Sequence, residues 1–183
     1  MEQPVTVEMV LAFWFEECSP PHWFKKDPAF DTLISERFGE MVESALAGEL
    51  DEWAETNGGC LALILLLDQF PRTIYRDTPK AFAGDEKALG LSERCRERGY
   101  LEHPQQGWRH FMLIPMMHSE DIAVQEASLP LFAKHPDERV VEYAIRHRDI
   151  IARFGRYPHR NRILGRESTV EEQAFLKQPG SSF

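Results

Sequence analysis

The stretch LALILLLDQF, residues 61–70, decides the fold class. Its first seven residues are all aliphatic or alanine, which predicts either a buried strand or a helix packed on all sides. No second strand-like run exists in the chain to pair with it, so we interpret it as a central helix. The sequence therefore predicts an all-α fold.

A long amphipathic helix is predicted before this stretch. Asp27 followed by Pro28 is typical of a helix start, with an N-cap and a proline at the first helical position. Gly48 is a natural stop for the same helix. An earlier helix is predicted over Val7–Glu17, followed by a loop around residues 20–21.

Further helices are predicted after the apolar stretch, at 79–83, 85–98, 105–113, 119–133 and 137–154. A last helix begins after Ser168 and Thr169, where Ser168 with Glu171, or Thr169 with Glu172, would form a capping box. We predict one all-helical domain over residues 1–183, with consecutive antiparallel helices stacked in pairs. Six prolines are predicted to fall between helices: Pro71, Pro79, Pro104, Pro115, Pro136 and Pro158.

The three cysteines, Cys18, Cys60 and Cys95, are widely spaced and form no CxxC pair. Their spacing argues against a disulfide framework and a thiolate zinc site, and it favours a reducing compartment. We interpret Cys60 as a core thiol and expect no cysteine to act as a nucleophile. The longest apolar run, Cys60–Leu67, has eight residues, too few to span a membrane, and the chain opens without a signal pattern. We therefore expect a cytoplasmic protein, and no motif predicts a metal or a cofactor.

The charge is unevenly distributed along a chain whose formal net charge is −9. Residues 1–58 contain thirteen acidic and three basic residues, a balance of −10. Residues 146–166 contain seven arginines and one acid, Asp149, a balance of +6. A compact cluster without lysine favours bidentate recognition of a carboxylate or phosphate, or internal ion pairs, over general nucleic-acid binding.

The centre of this basic segment is FGRYPHRNRILGR, residues 154–166, which we predict to be an ordered loop between two helices. Gly155 ends one helix and Pro158 prevents its continuation. In one interpretation the loop helps to bind an anion; in the other its arginines satisfy helix carbonyls and buried carboxylates such as Asp68. The predicted anion-binding residues are Arg72, Arg76, Arg156, Arg160, Asn161 and Arg166.

Four residues are candidates for proton transfer. Asp68 shares a face of the central helix with aliphatic residues, so it should point into protein and pair with an arginine. His118 with Glu120 could form an oriented acid or base, although helix-dipole stabilisation also explains an acid in a first turn. His147 lies on an apolar helical stripe, where it is either a core residue with a satisfied hydrogen bond or a catalyst.

Several long motifs occur in an order that resembles a known family. LALILLLDQFPRTIYRDTPKAFAGD, PMMHSEDIAVQ and HRDIIARFGRYPHRNRILGRESTVEEQAFL are similar to the mainly bacterial family called domain of unknown function 924, over roughly residues 7–176. The resemblance implies an all-helical fold like that of the tetratricopeptide-repeat-like superfamily, and it implies no established reaction. Where the family usually reads DQFPRN, this chain has Thr73 in place of asparagine, which removes an amide that both donates and accepts.

Two functions remain open on the sequence. The first is a helical pocket that binds, and hydrolyses or cleaves, a small anionic metabolite. The second is a helical protein-interaction scaffold whose groove binds a peptide and whose polar residues form a structural ion-pair network. RNA binding ranks last because the rest of the chain is acidic, no membrane partner is expected, and a homo-oligomer is compatible with the sequence.

Overall fold

The computed structural model describes residues 6–183, and all regular elements among these residues are helical, which confirms the all-α prediction. In chain order the α-helices are α1 (Val7–Ala12), α2 (Pro20–Phe24), α3 (Pro28–Ala47), α4 (Asn57–Ile64), α5 (Phe70–Ile74), α6 (Asp85–Glu97), α7 (Gln106–His118), α8 (Ile122–Phe132), α9 (Glu138–Phe154), α10 (Asn161–Leu164) and α11 (Val170–Leu176). Short 3₁₀ turns cover Asp51–Glu55, Pro79–Phe82, Tyr100–Glu102 and Pro158–Arg160, and π-helical turns cover Phe13–Glu17 and Leu65–Gln69.

The apolar stretch is the predicted central helix. Helix α4 runs through the π-helical turn into α5 without interruption, and residues 59–68 are all buried. The aliphatic composition explains this placement, because a helix that is apolar on every side is stable only when protein surrounds it. The π-helical turn contains Asp68, the one acid of the stretch, and Asp68 is therefore buried together with its aliphatic neighbours.

The helix ends follow local sequence signals. Asp27 caps α3 by accepting hydrogen bonds from two backbone N–H groups, and Gly48 ends the helix in the left-handed conformation with a φ of 86°. Thr169 and Glu172 form the capping box of α11, so the second of the two predicted boxes is the one present.

Three predictions from proline were wrong. Pro71 does not fall between helices, because it lies inside the continuous helix that α4, the π-helical turn and α5 form. Residues 20–21 open helix α2 instead of a loop, because proline fits the first turn of a helix. Pro115 lies inside α7, which continues to His118, so α8 begins at Ile122 and not near Ser119. Residues 111–117 are all buried, and this burial outweighs the hydrogen bond that the proline removes.

Contacts divide the chain into two units. The first contains the residues up to Arg76 together with Lys80–Pro115, and the second contains Asp77–Pro79 together with Met116–Phe183. The prediction of one domain over residues 1–183 therefore stays a prediction, and its first five residues lie outside the described part of the chain. None of the helices in residues 6–183 is both long and apolar enough to cross a membrane.

Each unit has its own core. In the first, Phe13 packs against Phe38 and Trp14 against Phe111, with ring centroids 4.9 and 5.4 Å apart. In the second, α8 packs along α9, and Ile150 and Tyr157 belong to the buried cluster under the basic segment. Both cores are built mainly from helix faces, and Tyr157, which precedes the 3₁₀ turn Pro158–Arg160, adds a side chain from the basic segment.

Candidate functional site

The predicted site residues lie in two groups, one in each unit. The first unit contains the three predicted site residues at and just after the end of the apolar stretch, and the second unit contains the other predicted site residues. The first group is Asp68, Arg72 and Arg76; the second is His118, Glu120, His147, Arg156, Arg160, Asn161 and Arg166.

The first group forms an ion-pair network around a buried carboxylate. Asp68 is fully buried, and its Oδ2 accepts a hydrogen bond of 2.7 Å from Gln69 Nε2. Arg72 Nη1 lies 3.3 Å from Asp68 Oδ1, and both ends of its fork bind Asp85 at 2.7 and 2.9 Å. Arg72 therefore joins two carboxylates, as expected for a buried acid that must be paired.

Arg76 also binds a carboxylate from a distant helix. Its Nε and Nη2 donate to Asp31 of α3 over 2.9–3.2 Å. On the same side, Glu43 accepts hydrogen bonds from the Tyr75 hydroxyl and, at 2.5 Å, from Lys80 Nζ. These contacts tie the end of α5 to α3, so both predicted anion-binding arginines of this unit are engaged with acids of the chain.

Glu120 is bound by the basic segment of the second unit. Arg166 donates to its two oxygens over 2.8 and 2.9 Å, and the backbone N–H of Tyr157 donates over 2.8 Å. Burial favours a raised pKa for Glu120, but these donors hold the pKa below its ordinary value. The side chain is therefore ionised near neutral pH and acts as an acceptor, so it is poorly suited to general acid catalysis.

Glu172 is a buried carboxylate that the sequence analysis assigned only to a helix cap. Arg156 donates to it through Nε at 2.8 Å and Nη2 at 2.9 Å, and Asn161 Nδ2 donates at 3.1 Å. The backbone N–H of Thr169 adds a fourth bond of 2.9 Å. The Arg156 fork, helped by these donors, lowers the pKa of Glu172 to about 2. The capping-box pattern was the available signal, but it could not show that an arginine 16 residues earlier shares the carboxylate.

Arg160 and Tyr157 close the end of α7. Arg160 is 7% exposed, its Nη2 donates over 3.0 Å to the carbonyl oxygen of His118, and its guanidinium lies 4.6 Å from the centre of the Tyr157 ring. The Tyr157 hydroxyl donates over 2.6 Å to the carbonyl oxygen of Met117. Because the last carbonyls of a helix lack intrahelical partners, these two side chains supply the donors that the helix end needs.

His147 is held in one tautomer by the backbone. It is 5% exposed, and its Nδ1 donates over 2.7 Å to the carbonyl oxygen of Tyr143, one turn earlier in α9. In the neutral ring Nε2 then has the lone pair. The ring of Phe183 stacks on the imidazole with its centroid 3.7 Å away. These contacts match a core histidine with a satisfied hydrogen bond.

The environment of His147 keeps it neutral. Burial is the main reason that its pKa falls to about 3, and positive charge at His118, His159 and Arg160 lowers it further. The second unit thus places two histidines and an arginine within electrostatic reach of His147. His159 was missed by the sequence analysis, and its only signal was its place in the basic segment.

Two surface depressions formed by the described residues lie in the first unit, and none of the predicted site residues lines them. The apolar groove, of about 690 Å³, is bounded by Leu11 and Phe15 of the first helix, Gly58, and Trp108 at the start of α7. A shallow hollow of about 240 Å³ lies beside α6. Within residues 6–183, no three His, Cys, Asp or Glu side chains are placed to hold a metal ion.

Comparisons with known proteins identify the family. A comparison with curated proteins found no match. Among solved structures, a protein of unknown function from Agrobacterium tumefaciens is 39% identical, with a TM-score of 0.89 over 93% of this chain and 96% of that one. The model of a family described as bacterial protein of unknown function, DUF924, matches residues 10–180. The chain therefore belongs to the DUF924 family.

Proposed function

We propose that the chain is a helical interaction module whose apolar groove binds a basic amphipathic peptide segment. The observation that carries the proposal is the groove itself, which combines apolar and aromatic walls with two glutamates, Glu8 and Glu16, and none of the described residues that line it is a lysine or arginine. Amphipathic helices commonly bind in such grooves by their apolar face, and charges at the rim select the partner.

The walls of the groove follow from the helical repeat. Val7, Leu11 and Phe15 recur every four residues and therefore share one face of the first helix. Trp108 forms the opposite wall, with its ring centroid 6.1 Å from that of Phe15. Gly58 lies between them, where an added Cβ would be 3.3 Å from Leu11 and 3.6 Å from Trp108. Glycine at this position thus lets Leu11 and Trp108 pack close to the backbone, where a larger residue would displace them.

The engagement of the arginines supports the same proposal. Arg72, Arg76, Arg156 and Arg166 each form a bidentate pair with a carboxylate of the chain. An incoming anion would have to displace that carboxylate and leave it partly buried without its partner, which is costly. We therefore assign these four arginines to the stability of the helical scaffold.

The test uses a synthetic amphipathic Leu/Lys peptide titrated into the protein by calorimetry. Glu8→Gln with Glu16→Gln should weaken binding about fivefold, and Trp108→Ala should weaken it at least about tenfold, because a central aromatic residue often dominates an interface. The matched control, Glu36→Gln with Glu40→Gln on the exposed face of α3, removes the same charge away from the groove and should change the affinity less than about twofold. Equal losses in both pairs of variants would mean non-specific attraction to an acidic protein.

An anion site around His147 is the second candidate. The observation that favours it is the gathering of His118, His159 and Arg160 near His147, whose neutral ring presents a lone pair. In this candidate His159 and Arg160 bind a small carboxylate or phosphate beside the neutral ring of His147, and His118 transfers the proton, because a pKa of about 3 makes His147 a weak base. Hydrolysis or elimination on a small anionic substrate would be the corresponding reaction class.

The two candidates are separated by histidine NMR with inorganic phosphate and malonate as probes. The anion site predicts that ring signals of His118 and His159 shift on titration, that Arg160→Gln abolishes the shifts, and that the exposed His22 does not respond. Shifts that are as large at His22 as at His159 would contradict it. Because His22 belongs to the first unit, the control also reports any general effect of ionic strength.

A further inference from the structure

Two of the three cysteines meet in the core of the first unit. Cys60 of α4 and Cys95 of α6 are both fully buried, and their sulfur atoms are 3.2 Å apart. Cys95 Sγ donates to Cys60 Sγ, and Cys60 Sγ donates over 3.6 Å to the carbonyl oxygen of Leu91. Both residues are free thiols, and 35 residues separate them along the chain, so only the packing of α4 on α6 brings them together.

The pair differs chemically from an ordinary buried thiol. The hydrogen bond from Cys95 holds the pKa of Cys60 below its usual value, although burial alone would raise it, and the positive charges of Arg94 and Arg98 act in the same direction. The same hydrogen bond and burial raise the pKa of Cys95. The two sulfurs therefore have different roles available to them, an attacking thiolate at Cys60 and a proton-bearing thiol at Cys95.

We propose that Cys60 and Cys95 are a peroxide-oxidisable dithiol, a modification site that closes as a disulfide between α4 and α6. The sulfurs need to approach by only about 1.1 Å to reach the disulfide bond length. From the sequence we expected no cysteine to act as a nucleophile. That expectation used the spacing of the cysteines along the chain, which gives no information on a contact between residues 35 positions apart.

Hydrogen peroxide suffices as the oxidant. The Cys60 thiolate attacks one peroxide oxygen, the O–O bond breaks, and the leaving hydroxide takes up a proton to become water, which leaves a sulfenic acid on Cys60. The Cys95 sulfur then attacks the Cys60 sulfur, the S–O bond breaks, and the released hydroxide leaves as water with the Cys95 proton. Two thiols and one peroxide thus give one disulfide and two waters, with two electrons passing from sulfur to oxygen.

A small oxidant fits the surroundings of the pair. Leu91, whose carbonyl oxygen contacts Cys60, also lines the shallow hollow beside α6, so the neighbour of the thiol borders that hollow. Arg94, the residue before Cys95, is part of the same lining. Complete burial excludes bulky disulfide reagents from direct attack, whereas peroxide needs only the small local openings that native helices undergo.

The experiment treats the folded wild-type protein with hydrogen peroxide and measures intact mass and thiol count without reductant. We expect a loss of about 2 Da, one remaining thiol, a peptide pair linking Cys60 to Cys95 after digestion, and recovery of three thiols with dithiothreitol. Cys18→Ala, the matched control, should form the same link. Three thiols retained by the folded protein after treatment, or a link that includes Cys18, would overturn the proposal.

A second variant tests the order of the two steps. Cys95→Ala keeps the attacking thiol and removes the resolving one, so the sulfenic acid should persist at Cys60 and be trapped by dimedone added together with denaturant after the peroxide is removed, with circular dichroism used beforehand to verify the fold. Cys60→Ala should give no adduct at Cys95. Trapping at Cys95 in place of Cys60 would overturn the assignment of the nucleophile.

Discussion

Replacing Glu172 by glutamine tests whether the basic segment is held by an internal carboxylate. The native side chain is 2% exposed and accepts four hydrogen bonds, two of them from the fork of Arg156 and the others from Asn161 and the backbone of Thr169. Glutamine has nearly the same shape but offers one acceptor oxygen, and its amide N–H₂ would face donors. The substitution therefore removes charge and acceptors while leaving the packing volume almost unchanged.

The expected loss of stability is about 2–4 kcal/mol. Breaking a buried ion pair costs about 3–5 kcal/mol, and hydrogen bonds to charged groups contribute about 1.5–3 kcal/mol each without being additive. The Arg156 side chain keeps 28% of its surface exposed, so water can solvate its guanidinium after the change and recover part of the loss. We place the expected value at the lower part of the combined range for this reason.

Hydrogen exchange followed by mass spectrometry is the appropriate assay. All four tryptophans precede residue 116, so intrinsic tryptophan fluorescence reports the first unit only. Peptides covering residues 154–176 should exchange about 30 to 1,000 times faster in Glu172→Gln. Glu171→Gln is the matched control, because the neighbouring Glu171 pairs with Arg153 at 2.8 Å but is 63% exposed, and a change of at most about threefold is expected there. Equal exchange in the two variants would refute the structural assignment of the arginines.

The remaining predictions concern acid, one aromatic ring and two glycines. The folded pKa of Glu172, about 2, lies below its ordinary value of 4.5, so its contribution to stability is complete above pH 4.5 and is lost as the pH falls towards 2. Glu172→Gln should therefore make the stability of residues 116–183, measured by hydrogen exchange, depend less on pH in this window. Phe183→Ala uncovers the imidazole of His147 and should raise its pKa from about 3, and an unchanged NMR titration would contradict burial as the cause. Gly90→Ala on the exposed face of α6, where the new Cβ meets nothing within 4 Å, should stabilise the first unit by about 0.5–1 kcal/mol in urea unfolding followed by tryptophan fluorescence, whereas Gly99→Ala, at a φ of 73°, should destabilise it.

Local signals in the sequence predicted most of the helices and their ends. The Asp27 cap, the Gly48 stop and one capping box act over four residues or fewer, and the apolar stretch is one continuous run, so all of them can be read without tertiary information. The error at residues 20–21 was a local signal misread, since proline fits the first turn of a helix, whereas at Pro115 packing decided the outcome. Pro115 carries a local preference against helix, and the burial of α7 overrides it.

The sequence predicted which residues belong to the candidate site, but it did not predict which acids and arginines pair with each other. Position on the central helix indicated that Asp68 is buried and bound to an arginine, and i,i+4 spacing made Arg72 a reasonable partner. The second partner of Arg72, Asp85, and the partner of Arg76, Asp31, are 13 and 45 residues away. Contacts at these separations depend on how helices pack, so periodicity alone gives no information on them. The same holds for the sulfur contact in the first unit.

The uneven distribution of charge leads to a different conclusion when the net charge is counted for each unit separately. The balance of +6 over residues 146–166 suggested a surplus of positive charge, but residues 77–79 and 116–183 together contain eleven acidic and ten basic residues, so the unit that holds the arginines has a net charge of −1. The surplus of positive charge appears only when residues 146–166 are counted alone. In the folded unit, Glu120 pairs with Arg166 and Glu172 pairs with Arg156, so these acids neutralise part of that charge. The remaining −8 of the total −9 lies in the other unit, which also holds the apolar groove. A negative potential of this size attracts cations and repels anions over the range of a Debye length, so a basic partner should associate with the first unit faster at low salt than at high salt. An anionic ligand would meet a nearly neutral second unit and gain little from long-range attraction, which is why the salt dependence of association separates the two proposed functions.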